Sequence, residues 1–195
     1  GTTVTVRNLF KNIPARRKFL RSEVTEYKYI SNLFKKIALA NPECSFTLIK
    51  DNKQQYKLKA TNDPKSRIVE ITPSIDKDDL IEINFDDPNI LVSGFIGHPR
   101  TSSKHKNHQY IFLNKRPISD QLIPKAIKDG FGTTLMNHMH PLFFLSIDID
   151  PKNVDINVHP RKEEVKFENP QALYKIIAKA TRKALDKNLR RDNTQ

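Results

Sequence analysis

The chain has 195 residues, with 34 Lys plus Arg against 22 Asp plus Glu and a formal net charge of +12, a pI near 9.8 and a mean hydropathy of -0.61. At this length about 70% of the unfolded surface can be buried, enough for roughly one to one and a half domains, and 11 Phe with 5 Tyr exclude a disordered tail. No apolar window approaches the roughly 18 residues of a membrane span and no signal-peptide order is present, so a soluble, non-secreted chain is expected; Cys44, the single cysteine, excludes an internal disulfide or a multi-thiolate zinc site.

Gly1 to Val6 alternates β-branched residues without an initiator Met, which predicts a strand at the very start and a chain that is a fragment. From Ser22 to Ala40 the spacing of Val24, Tyr27, Ile30, Leu33, Phe34 and Ile37 predicts an amphipathic helix, with Ser22 as N-cap and Pro42 closing it. Ser45 to Lys50 and Gln55 to Lys59 read as a hairpin around Asp51, Asn52 and Lys53, and the polar stretch from Ala60 to Lys65 reads as a linker. Strand-like runs follow at 81–85, 90–96, 109–113, 141–149 and 155–158. Two helices are set among them. One runs from about Asp120 to Asp129, stopped by Gly130 and troubled by Pro124; the other starts at the Asn169 N-cap and Pro170, with Leu173, Ile176, Ile177, Ala180 and Ala184 on one stripe. Strands with helices between them predict a mixed α/β or α+β sheet domain.

Four basic clusters stand out: Arg16, Arg17 and Lys18 with Arg21; Lys104 with Lys106; Lys115 with Arg116; and Arg161 and Lys162 with Lys166. Together with the net charge they point to a sequence-independent attraction to a phosphate backbone, although an acidic protein surface would attract the chain as well. At Val154 to Lys162 a strand ends at His159 and Pro160 and at once presents two cations. A strand-end lysine can act as a compact point charge on a phosphate, with Asn157 and His159 holding the turn. Asp148 with Asp150, and His138 and His140 with Cys44 or His98, read as an exposed face and incidental histidines. With only 5 Gly no complete phosphate cradle is present, and no Walker, CxxC or Ser-His-Asp constellation can be read.

Gly1 to Val6, then Leu9 and Phe10, then Asn12 to Leu20 (NIPARRKFL), resemble the GT-V-LF-N-PARRKFL signature of the MutL DNA mismatch repair proteins. Gln109 to Arg116 with Asp120 is similar to that family's Q-FVNGR-D segment, and Asp155 to Phe167 resembles its DVNVHP-K-EVRF segment. The resemblance implies that 1–62 is the C-terminal part of a GHKL-type ATPase domain. It makes 63–191 a transducer domain of ribosomal-protein-like α+β fold with a left-handed βαβ crossover, and 192–195 a tail.

By the same resemblance, Thr2 matches the threonine of the fourth ATP-site motif and Lys162 the lysine that reaches the γ-phosphate. Arg116 matches the DNA-binding arginine of NGR, with Lys115 in place of its Gly and Lys104 and Lys106 adding charge nearby. The parent it implies is a weak ATPase using ATP and Mg, a homodimer and DNA-binding matchmaker with a mismatch-recognition protein of the MutS type as partner. It would be cytoplasmic and nucleoid-associated in a bacterium, or nuclear in a eukaryote. The fragment alone is expected to be inactive and to need no cofactor. An autonomous nucleic-acid-binding module without ATPase coupling is the alternative; a topoisomerase transducer would carry a Gln-Thr-Lys triplet, which this chain lacks.

Overall fold

The computed structural model describes residues 1–155 and 165–192. They form two compact units, Gly1–Lys35 and Lys36–Gln195.

In the first unit the predicted strand is absent. Gly1 to Val6 pairs with none of the described residues, and Val4 and Val6 are exposed; alternation alone does not make a strand, because its hydrogen bonds must come from a neighbour. A short helix, α1 (Pro14–Arg17), carries Arg16 and Arg17 in its last turn. The long helix α2 (Glu23–Ala40) begins where Ser22 predicts, with Thr25 N donating to Ser22 Oγ at 3.4 Å and Glu26 N to Ser22 O at 2.9 Å. Its predicted apolar stripe is largely uncovered, Val24, Ile30 and Leu33 being exposed.

The second unit opens with a hairpin of β1 (Phe46–Lys50) and β2 (Lys53–Leu58). Asp51 and Asn52 turn it, both with positive φ, as a two-residue hairpin loop demands. The stretch that reads as a linker passes instead into an unforeseen helix, α3 (Pro64–Ile71). Asp63 caps it: one carboxylate oxygen accepts from Lys65 N at 3.0 Å, the other from Ser66 Oγ at 2.6 Å and Lys77 Nζ at 2.9 Å. The Ser66 hydroxyl first, then Lys77, hold the Asp63 carboxyl at about 2.

Arg67 on α3 is wholly buried. Its guanidinium donates to the carbonyls of Ala38 (2.8 Å), Pro42 (3.1 Å), Cys44 (2.9 Å) and Lys59 (2.6 Å). One cation thereby satisfies the orphaned end of α2, the loop after it and the end of β2, groups that would each be costly to bury alone.

Five strands make the central sheet: β3 (Leu80–Asp87), β4 (Ile90–Gly97), β5 (Gln109–Leu113), β6 (Arg116–Ile118) and β7 (Phe143–Ile149), in the order β3-β4-β7-β5-β6. All neighbours are antiparallel except β5 and β7, which run parallel. The helix α4 (Leu122–Phe131) lies in the connection between those two strands. A ribbon of β8 (Val154–Asp155) and β9 (Lys166–Phe167) leads to α5 (Pro170–Asp192).

The main core puts Ile123, Ile127 and Phe131 of α4 and Leu173, Ile177 and Leu185 of α5 with Ile83, Val92, Phe143, Leu145 and Ile147 of the sheet. Leu80 and Phe144 instead join Ile68 of α3, Ile75 and Leu142 in a second cluster. The first half of the central strand β7 is thus covered on both faces, by Phe143 and Leu145 on one and Phe144 on the other, which explains the apolar run from Leu142 to Leu145; after it Ser146 and the exposed Asp148 alternate with the buried Ile147.

Two details of α4 differ from expectation. The helix starts at Leu122, so Pro124 falls in its first turn, where a missing N–H breaks no bond. Its stop is Gly132, with φ +55, rather than Gly130. Gly130 has another role: a Cβ there would stand 2.5 Å from Thr181 Cβ and 2.8 Å from Ala178 O, so its bare backbone lets α4 and α5 approach.

Candidate nucleic-acid interface

Lys115 and Arg116 stand at the tip of the hairpin joining β5 and β6, both exposed. Leu113 pairs with Arg116, which leaves Asn114 and Lys115 as a two-residue turn. Both take positive φ, 47 and 65. A tight hairpin needs the left-handed region at both central residues, where Asn is tolerated and Gly is preferred. Lysine fills that place here, at a conformational cost of roughly 1 to 2 kcal/mol, and adds a second cation beside Arg116.

Asn114 fixes the tip. Its backbone N–H donates to Ile147 O at 2.9 Å, its side-chain amide donates to Ile149 O at 3.0 Å, and its side-chain oxygen accepts from Ile149 N at 3.0 Å. A side chain here imitates a strand and extends the parallel β5–β7 ladder by one more pair of bonds. The cations are therefore carried on a clamped turn rather than on a floppy loop.

Lys104 and Lys106 are exposed in the loop before β5. That loop is tied down by backbone bonds between Ser103 and His140 in both directions, at 3.0 and 2.7 Å. Lys106 shares a cavity of about 190 Å³ with Lys36, Gln109, Ile118 and Asp120. The length of β5, five residues at about 3.3 Å each, separates this end from the Lys115 tip by about 15 Å. The four cations expected from sequence thus form two pairs at opposite ends of one hairpin.

The field at the second end registers on His140, whose basicity is lowered first by burial and then by Lys128, Lys106 and His105. No local pattern in the sequence singles out Lys128. It sits in the last turn of α4 and donates to Asn137 O at 2.6 Å, so the helix carries its charge to the loop.

Thr2 is exposed in a segment without regular structure. Lys162, with Arg161, His159 and Asn157, lies outside the described residues. Among the described residues no group of three or more His, Cys, Asp or Glu could hold a metal ion. Among the same residues no helix is long and apolar enough to cross a membrane.

The family model described as DNA mismatch repair protein, C-terminal domain, matches residues 68–186. The chain belongs to the MutL-type DNA mismatch repair family. Among its relatives, the DNA mismatch repair protein MutL of Christiangramia forsetii is 36% identical over 185 residues, 95% of this chain and 30% of that protein. The MutL of Clostridium botulinum strain Loch Maree is 38% identical over 194 residues, 100% of this chain and 29% of that protein. The chain therefore spans about 30% of the length of the curated relatives it matches.

Among solved structures, the N-terminal domain of a DNA repair protein superposes with a TM-score of 0.70 at 20% identity, covering 94% of this chain and 60% of that one, a likeness of fold alone. The Aquifex aeolicus MutL ATPase domain complexed with ADP superposes at 0.59 with 26% identity, covering 89% and 56%. The mixed α+β architecture expected of a transducer domain behind a GHKL ATPase is thus the architecture of this MutL-type chain.

Proposed function

We propose that this chain is the part of a MutL-type matchmaker that grips the DNA backbone while its parent turns over ATP. The observation that carries the reading is the clamped β5–β6 turn, which presents Lys115 and Arg116 in a fixed position, with Lys104 and Lys106 about 15 Å away at the other end of the hairpin. Charges fixed at the two ends of a rigid element contact phosphates without reading bases.

In this reading residues 1–62 close the parent's ATPase domain, 63–191 form its transducer and 192–195 its tail. Thr2 lies near the nucleotide phosphates, and Lys162 supplies a point charge to the γ-phosphate of ATP. ATP with Mg is then the cofactor of the whole protein, a second copy its dimer partner, and a MutS-type protein the source of the mismatch signal. The ADP held by the Aquifex relative supports a nucleotide as the parent's ligand.

The division of labour is tested in the intact parent. Lys162→Ala should depress ATP hydrolysis and leave DNA affinity largely intact, whereas Arg116→Glu should weaken DNA binding. Equal loss of DNA affinity from both substitutions refutes the assignment.

A further inference from the structure

The helix α5 carries Lys175, Lys179, Lys183 and Lys187 at a strict spacing of four, all exposed. Each step of four turns about 40° around the helix, so the row runs obliquely from Lys175, opposite the buried Leu173, to Lys183 and Lys187 at the edge facing β3. Like charges four apart on a helix repel, and surface helices ordinarily relieve this with acidic residues three or four positions away. Here Asp186 is the single carboxylate at such a spacing from any of the four, and among the described residues none of them has a carboxylate within ion-pair distance.

Two further observations mark the ladder as more than a solvated face. Lys183 and Lys187 line a cavity of about 410 Å³ with Lys65, Asn84 and Asn188, where Glu82 is the single carboxylate. Lys65 donates to Leu80 O at 2.7 Å, which fixes its charge beside that cavity. Lys179 Nζ lies over the Phe85 ring of β3 at 5.8 Å, which holds its charge near that strand.

We infer that α5 is a second DNA-backbone contact, separate from the β5–β6 hairpin, with Lys175, Lys179, Lys183 and Lys187 as its phosphate-binding row. The row is about 18 Å long at 1.5 Å per residue. Phosphates of one strand advance by about 3.4 Å along a duplex, so the row runs beside about five of them. The lysines repeat at a fixed step along their oblique row, as the phosphates of one strand do along their helical path, so a regular row of cations meets a regular row of anions. The inference rests on the reading that DNA is the partner, and it adds a site to that reading.

The test is duplex binding by the full 195-residue chain across a salt series, with the four lysines changed together to Gln, which keeps helix propensity. Each phosphate that is no longer neutralised lowers the slope of log affinity against log salt by about 0.9, so the fourfold variant should lose up to about 3.6. A slope unchanged from the unsubstituted chain overturns the inference. Arg116→Glu in parallel separates the two sites: a normal slope there with a reduced one in the fourfold variant leaves the ladder standing and removes the hairpin. The opposite pattern removes the ladder. If the fourfold variant loses binding to polyglutamate but not to duplex, the row serves an acidic protein and the inference fails. Lysine acetylation of the unsubstituted chain provides a check without substitution. Duplex should protect these four lysines; protection confined to Lys104, Lys106 and Lys115 overturns the assignment.

Discussion

Replacing Lys115 by glycine tests the backbone and the charge of the hairpin tip at once. Lys115 holds φ at 65, where a residue with a Cβ pays roughly 1 to 2 kcal/mol. Glycine removes that penalty but has more freedom to lose on folding, by roughly 0.5 to 1 kcal/mol. The difference predicts a net stabilisation of about 0.5 to 1 kcal/mol, or about 2 °C in Tm for a chain of this size. Thermal unfolding followed by far-UV circular dichroism measures it. Lys115→Ala is the control, because it removes the same charge while keeping the strained turn, and it should give no such rise. The substitution to glycine should also lower the salt slope of duplex binding by about 0.9 if Lys115 contacts a phosphate. A Tm that is unchanged or lower with glycine, or an equal rise with alanine, refutes the reasoning.

Other consequences follow from the packing. Arg67→Ala leaves the carbonyls of Ala38, Pro42, Cys44 and Lys59 without their donor and should cost about 4 kcal/mol, read as a drop in denaturant unfolding free energy. Gly130→Ala drives a methyl into Thr181 and the Ala178 carbonyl and should cost about 1 to 3 kcal/mol, with Thr181→Ser recovering part of it in the same denaturant assay. For pH the sign depends on the group. His140 is less basic folded than unfolded, so the unfolded state takes up its proton first, and stability should fall as pH drops through the usual imidazole range. Asp63, held at about 2, contributes stability that is present above its ordinary value of 3.8 and lost as pH falls toward 2; Asp63→Asn should flatten that acid limb.

The elements with strong periodicity are legible in the residues: α2, the β1–β2 hairpin, β3 to β5, β7 and α5 all stand close to where spacing and caps put them. The features that are not legible share a cause, which is that the deciding partner is remote or is backbone. The segment at Pro64 reads as a linker because its composition is polar, yet Asp63 before Pro64 is an N-cap followed by proline at the first helical position, a start signal that composition obscures. Arg67 gives no local sign of burial, since its acceptors lie 29, 25, 23 and 8 residues away. Gly1 to Val6 has strand-like alternation but no pairing partner among the described residues.

At the interface the charges are legible and their geometry is not. Lys115 in place of glycine puts the turn in question, and the chain resolves it by holding a lysine in the left-handed region, with Asn114 bonded to β7. Lys104 with Lys106 and Lys115 with Arg116 read as separate clusters on either side of a strand, and β5 sets the distance between them. The row on α5 is masked by the helix's apolar stripe, which dominates its periodicity while the cations wind obliquely across the exposed surface.

The most direct measurement is the salt dependence of duplex DNA binding by this chain, with and without Arg116→Glu. Affinity should fall steeply with salt in the unsubstituted chain, and the variant should show a weaker grip with a slope smaller by about 0.9 or more. Identical curves for the two proteins, or no salt-dependent binding by either, would contradict the claim that the β5–β6 turn of this MutL-type chain holds the DNA backbone.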